Sequence, residues 1–203
     1  MKILLSFMLL WIFTQAEETD KQVNLCKEGN ITACYEVGIV LTTGKNEDHQ
    51  ENKELGFELI RKACKYGHTS ACDVLGENYY KDKHYQAAKP YFKDACKRKV
   101  KHACEAMGTM YRDAQEVEQD DVKAREYYEQ ACDLKSADAC INVAIMYRGG
   151  FGVKISRALE KKFYQKACTA GSEVGCDNFR HLDNEDRGIK EPSWFDKIKS
   201  LFD

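Results

Sequence analysis

Ala131-Cys132-Asp133-Leu134-Lys135-Ser136-Ala137-Asp138-Ala139-Cys140 places two cysteines eight positions apart, each preceded by alanine. The spacing returns five times, as Cys26/Cys34, Cys64/Cys72, Cys96/Cys104, Cys132/Cys140 and Cys168/Cys176, and these pairs use all ten cysteines of the chain. A period that consumes every cysteine is the mark of a repeat architecture, in which each unit is one supersecondary element stacked on its neighbours.

Around that stretch the apolar residues fall on one helical face. Val122, Ala124, Tyr127, Tyr128 and Ala131 recur at helical spacing, which predicts a first helix over 121–134. Ala139, Val143, Ala144 and Tyr147 predict a second helix from about Ser136. Only a few residues separate the two, so they must run antiparallel as an αα-hairpin. Three positions after the first cysteine stand Gly29, Gly67, Lys99, Lys135 and Gly171, at the site where a helix C-terminus enters the left-handed region. One place further, Asn30, Ser136 and Ser172 suit the N-cap of the second helix, whereas His68 and Val100 are weaker caps.

In this geometry the first cysteine lies in the last turn of one helix and the second in the first turn of the next. The expected linkage is a disulfide closing each hairpin near its turn. The competing use of paired cysteines is zinc, which favours C-x(2–4)-C spacings with further ligands nearby. Here seven residues separate the cysteines, and His49, His68, His84, His102 and His181 form no H-x(3–5)-H pair. No metal or cofactor is therefore expected. The second helix also repeats a small residue four after its cysteine (Gly38, Gly76, Gly108, Ala144) and an aromatic seven after it (Tyr79, Tyr111, Tyr147). The glycines imply close approach of neighbouring helices, and the tyrosines read as packing residues. First cysteines are 38, 32, 36 and 36 residues apart, so insertions fall between hairpins. The longest such loop is Thr42–Asp48 and the most glycine-rich is Arg148–Gly152, which lacks phosphate-loop order and follows a helix.

The ends differ from the repeats. Residues 1–16 carry one lysine, then an apolar run from Ile3 to Phe13, then an exit at Ala16 into acidic sequence, as in a secretory signal peptide. The run is too short for the roughly 18–20 apolar residues of a membrane span, so no stable membrane anchor is expected. Removing Lys2 with residues 1–16 changes Lys+Arg from 31 to 30 against 33 Asp+Glu, a net charge of −3. That mixed charge argues against nucleic acid as a partner. Export, secreted or periplasmic, is where disulfides persist. Residues 17–184 hold the five repeats, the last with Gly175, Arg180 and Asp183 in place of small and aromatic residues, as befits a terminal cap. Residues 185–203 form a polar link and an amphipathic helix with Trp194, Phe195, Ile198, Leu201 and Phe202 on one stripe, expected to fold over the open end of the array.

The unit A-x(3)-Y-Y-x(2)-A-C-x(2)-G-x(4)-A-C-x(2)-L-G-x(2)-Y, seen in Ala124, Tyr127, Tyr128, Ala131, Cys132, Ala139, Cys140, Val143, Ala144 and Tyr147, resembles the Sel1-like repeat of the Helicobacter cysteine-rich proteins over nearly all of residues 19–184. Glu160 departs from the pattern where the first helix would carry alanine. The resemblance implies an all-α, right-handed αα-solenoid of Sel1/TPR-like hairpins with one disulfide each. It also implies a concave groove suited to a peptide, peptidoglycan fragment, β-lactam or host protein, and a classification as penicillin-binding proteins or β-lactamases acting on 6-aminopenicillanic and 7-aminocephalosporanic acid derivatives. The related cysteine-rich proteins of the mitochondrial intermembrane space are a poorer match, because a transit peptide is amphipathic and arginine-rich. No serine has lysine three residues on, and neither S-x-N nor K-[ST]-G occurs; Thr42 with Lys45 is the nearest approach. The sequence assigns no catalytic residue and no ligand-binding residue, and it favours a binding module over a hydrolase.

Overall fold

The computed structural model describes residues 21–43 and 49–189, with no side-chain description at 49–52. The predicted leader (1–16) and the predicted terminal helix lie outside the described residues. Among those described, the regular structure is helical throughout. A first helical segment, α1, covers 21–27. It is followed by α2 (Ile31–Thr43), α3 (His49–Lys65), α4 (Thr69–Lys81), α5 (Tyr85–Lys97) and α6 (Lys101–Arg112). Then come α7 (Asp121–Asp133), α8 (Ala137–Gly149), α9 (Arg157–Thr169) and α10 (Glu173–Asp186). The chain divides into two compact units at Ala103/Cys104. In the first, α2 packs on α3, α3 on α4 and α4 on α5; in the second, α7 packs on α8, α8 on α9 and α9 on α10.

Each hairpin turns in the same way. Gly29, Gly67 and Gly171 take φ of 97°, 103° and 95°, and Lys99 and Lys135 take 66° and 67° at the same register position. In every copy the left-handed residue donates its N–H to the carbonyl of the first cysteine, and the next residue donates to the carbonyl one place before that cysteine. In the fourth hairpin these bonds are Lys135 to Cys132 at 2.9 Å and Ser136 to Ala131 at 2.9 Å. This is a Schellman closure, which satisfies the last carbonyls of the first helix. The second helix then starts from a side-chain cap: Asn30 accepts from Ala33 N–H, Ser136 from Ala139 and Ser172 from Gly175. His68 makes no cap bond and instead stacks on Tyr35 at 4.2 Å. Val100 has no polar atom to offer α6. Val100→Ser should therefore stabilise the chain by about 0.5–1 kcal/mol, read as a higher midpoint in urea unfolding.

Successive hairpins join by a backbone bond that tolerates loops of different length. The carbonyls of Tyr79, Tyr111 and Tyr147 accept from His84, Asp120 and Ser156, which are the N-cap residues of α5, α7 and α9. The glycine-rich loop after α8 is a helix terminus, with Gly150 left-handed (φ 76°) and Gly152 against the start of α7, where a β-carbon would lie 2.6 Å from the Asp121 carbonyl carbon. One residue of α7 departs from expectation. Val122 was placed on the buried face of α7 but sits in its first turn, 45% exposed.

Glycine marks the closest helix crossings. A β-carbon on Gly38 would meet Ile60 at 2.5 Å, one on Gly76 would meet the Phe92 ring at 2.6 Å, and one on Gly108 would meet the Tyr128 ring at 2.7 Å. Ile60, Phe92 and Tyr128 are fully buried, and each lies four residues before the first cysteine of its hairpin. The glycine of one hairpin's second helix therefore seats a large residue from the first helix of the next. The alanines beside the cysteines fill the rest of this thin core: Ala33, Ala63, Ala71, Ala95, Ala103, Ala131, Ala139 and Ala167 are all buried.

The terminal hairpin is held by charge. Arg157 donates to Glu185 at 2.6 Å and to Asp186 at 3.0 Å, and Lys161 donates to Asp183 at 2.9 Å and to Asp186 at 2.7 Å. These pairs carry α10 through Asp186, beyond the repeat boundary expected at 184, and Gly188 (φ 66°) closes it. The hydrogen bonds from Lys161 hold the Asp183 and Asp186 carboxyls below their ordinary pKa, and Arg157 does the same for Glu185. Folded-state values that are depressed give a contribution present above the unfolded value, about 4, and lost as pH falls through the folded values. Amide protection in α10 should drop relative to α8 on going from about pH 6 to about pH 3.

Candidate ligand-binding site

Cys26–Cys34, Cys64–Cys72, Cys132–Cys140 and Cys168–Cys176 are disulfides with Cα atoms 4.6, 4.8, 4.7 and 4.4 Å apart. Cys96 and Cys104 are likewise disulfide-bonded, and no described cysteine is free. Cys64, Cys72 and Asp94 form a cluster with ligand atoms within 4.8 Å of one another. Both sulfurs are already oxidised, so the cluster offers no thiolate to a metal. The cysteines are thus structural, and the binding surface must be sought elsewhere.

The tyrosines seven after the second cysteines of the middle three hairpins stack on an aromatic five before the next first cysteine, and all of these rings but the buried Phe163 are half-exposed. Tyr79 stacks on Tyr91 at 5.7 Å, Tyr111 on Tyr127 at 5.8 Å and Tyr147 on Phe163 at 5.6 Å, all near parallel. They are packing residues, as expected, but their hydroxyls do more than packing requires. In the first unit the neighbouring Tyr79 phenol, with that of Tyr91, raises the Arg61 pKa above the ordinary arginine value. In the second unit Tyr147 donates to Glu129 at 3.3 Å, and Glu129 accepts from Arg125 at 2.8 Å. Burial, then the Glu129 charge, raises the Tyr147 pKa.

Beside Arg61 lies a cavity of about 310 Å³ between α3 and α4, lined by Lys53, Glu54, Phe57, Glu58, Arg61, Leu75, Asn78 and Tyr79. Its size is at the lower end of the roughly 300–1,000 Å³ range of small-molecule sites. The sequence reading missed Arg61 and Asn78. A signal for Asn78 was available in the repeat register: six residues after the second cysteine, the three following hairpins carry Met110, Met146 and Leu182.

Several of the hydroxyls that hydrolysis would need are engaged in structure, while Ser70 in the first turn of α4 is exposed. Thr42 donates to the Ile39 carbonyl at 3.0 Å. Ser136, 6% exposed, caps α8 and donates to Glu105 at 2.8 Å; Ser156 and Ser172 cap α9 and α10.

Tandem helical hairpins, each closed by its own disulfide, define an αα-repeat protein. The chain belongs to the Sel1 repeat family, whose model matches residues 31–68, 101–136 and 137–172. Each matched stretch starts with the second helix of one disulfide hairpin and includes the helix that follows it where that opens the next hairpin, as α2 with α3 and α8 with α9 do. Among solved structures the chain is similar in fold to a protective antigen of uropathogenic Escherichia coli strains displaying an SLR fold, with TM-score 0.68 and 19% identity over 82% of this chain and 36% of that one. It is also similar to a Sel1 repeat protein from Oxalobacter formigenes, with TM-score 0.66 and 18% identity over 79% and 65% of the two chains. Cysteine rich protein B of Helicobacter pylori is 27% identical over 60% of this chain and 95% of its own, with TM-score 0.48. The chain spans 36% of the antigen's length and 65% of the Oxalobacter protein's. No curated protein matches it.

Proposed function

We propose that this chain is an exported binding module for peptides or cell-wall fragments. The observation that carries the reading is the cavity between α3 and α4, where Arg61 meets apolar walls and charged groups open to solvent. Repeat proteins of this class present such surfaces from rigid helices, and here each hairpin is further fixed by a disulfide. Two features support export: the signal-like residues 1–16, and the oxidation of all ten cysteines, which persists outside the reducing cytosol. No helix of the described residues is long and apolar enough to cross a membrane.

The alternative is β-lactam hydrolysis. It rests on the resemblance to proteins so classed, and it needs a nucleophile beside a base. The Thr42, Ser136, Ser156 and Ser172 hydroxyls, engaged as caps and donors, weigh against it, and among the described residues no base is hydrogen-bonded to the exposed Ser70. Two assays on the oxidised chain separate the readings. A peptide library panned on immobilised protein should yield ligands that bind saturably and are lost on reduction, while a chromogenic β-lactam should show no sustained turnover. Turnover that co-migrates with the chain and disappears on reduction would replace the binding module with an enzyme.

A further inference from the structure

One residue lining the pocket between α3 and α4 departs from the hairpins that follow. At the position of Asn78 the later hairpins place Met110, Met146 and Leu182, which are 1%, 4% and 6% exposed, whereas the first hairpin has Val40 there, 51% exposed. Asn78 is shorter and polar, only half-buried, and lines the cavity with its amide. One wall of the cavity is apolar, from Phe57 and the buried Leu75. Its rim carries two cations, Lys53 and Arg61, and two anions, Glu54 and Glu58, all on one face of α3.

The rim charges are free to act on a ligand. Elsewhere charges on the helix faces are matched, as in Arg98–Asp94, Arg125–Glu129 and Lys161–Asp183. Among the described residues no ion pair joins Lys53, Glu54 or Glu58. Arg61, three residues from Glu58, makes no ion pair among the described residues and lines the cavity beside Tyr79. Two cations, a pair of carboxylates and an apolar wall within one small cavity match a ligand carrying both charges on a short apolar body.

We propose that this pocket binds short zwitterionic peptides. The ligand carboxylate meets Arg61 and Lys53, its ammonium meets Glu54 and Glu58, its side chain lies on Phe57 and Leu75, and its amide groups pair with Asn78. The proposal rests on the peptide-binding reading above and narrows it to free, uncapped peptides of two or three residues. Binding is reversible and makes no covalent bond.

The test is an NMR titration of the isotope-labelled, oxidised chain with the tripeptide Ala-Leu-Ala, its N-acetylated form and its C-terminal amide. Saturable amide shifts confined to Lys53–Arg61 and Leu75–Tyr79 are expected, with a loss of about tenfold in affinity for each capped terminus. Asn78→Met, which installs the residue the third and fourth hairpins carry, should leave the spectrum dispersed and abolish the shifts. Lys53→Gln with Glu58→Gln, both exposed changes, should weaken binding without altering the fold. Shifts centred elsewhere and indifferent to Asn78→Met would overturn the pocket while leaving a peptide-binding chain. An absence of any shift with Ala-Leu-Ala would also overturn the pocket, and the library selection would then decide the wider reading by itself.

Discussion

Excess reductant should unfold this chain at room temperature. Each disulfide closes a loop of eight residues' separation, and in the chain-entropy model such a closure contributes roughly 2–3 kcal/mol. Five of them sum to about 10–15 kcal/mol, which is as large as the whole stability of an ordinary domain, about 5–15 kcal/mol. The core that remains is thin, because the buried positions flanking the cysteines are alanines. Far-UV circular dichroism with and without reductant should therefore show loss of most helical signal in the reduced sample. A reduced chain that melted at the same temperature as the oxidised one would show that packing alone suffices.

Tyr128→Ala should be the most damaging single substitution in the second unit, at about 3–5 kcal/mol. The ring is fully buried over Gly108, and its hydroxyl lies 3.0 Å from that of Thr109. Tyr128→Phe removes only that hydrogen bond and should cost about 1 kcal/mol. The sharper test couples the ring to the glycine beneath it. Gly108→Ala in the native chain sets a β-carbon 2.7 Å from the ring and should destabilise. In the Tyr128→Ala background the obstruction is gone, and the same change should recover about 0.5–1 kcal/mol from helix propensity. Urea unfolding of the four variants measures this coupling, and simple additivity would contradict the proposed seating.

The hairpins were legible because cysteine spacing fixed the register from which everything else could be counted. The left-handed residue three past the first cysteine, the caps at Asn30, Ser136 and Ser172 and the weak caps at His68 and Val100 are local features, written in adjacent residues. The glycine crossings were legible as close approaches, but their partners were not. Ile60, Phe92 and Tyr128 belong to the following hairpin, and helical period alone does not say which residue of the next unit fills the space above a glycine. The bond from each helix N-cap to a tyrosine carbonyl is made by backbone and leaves no side-chain signature. Val122 followed the period yet lies in a first turn that its own repeat does not cover. Asn78 broke the repeat in plain view, and its meaning needed the burial of Met110 and Met146 to be seen. Arg61 gave no warning, because the Tyr79 and Asn78 beside it in the cavity come from another helix.

The hairpin turns and the thin core between them rest on one disulfide per hairpin. The most direct measurement is mass spectrometry of the chain digested without reduction, after export to an oxidising compartment. That pairing predicts linked peptides at Cys26/Cys34, Cys64/Cys72, Cys96/Cys104, Cys132/Cys140 and Cys168/Cys176, with no free thiol. A linkage joining cysteines of different hairpins, or pairs recovered as thiols, would contradict it.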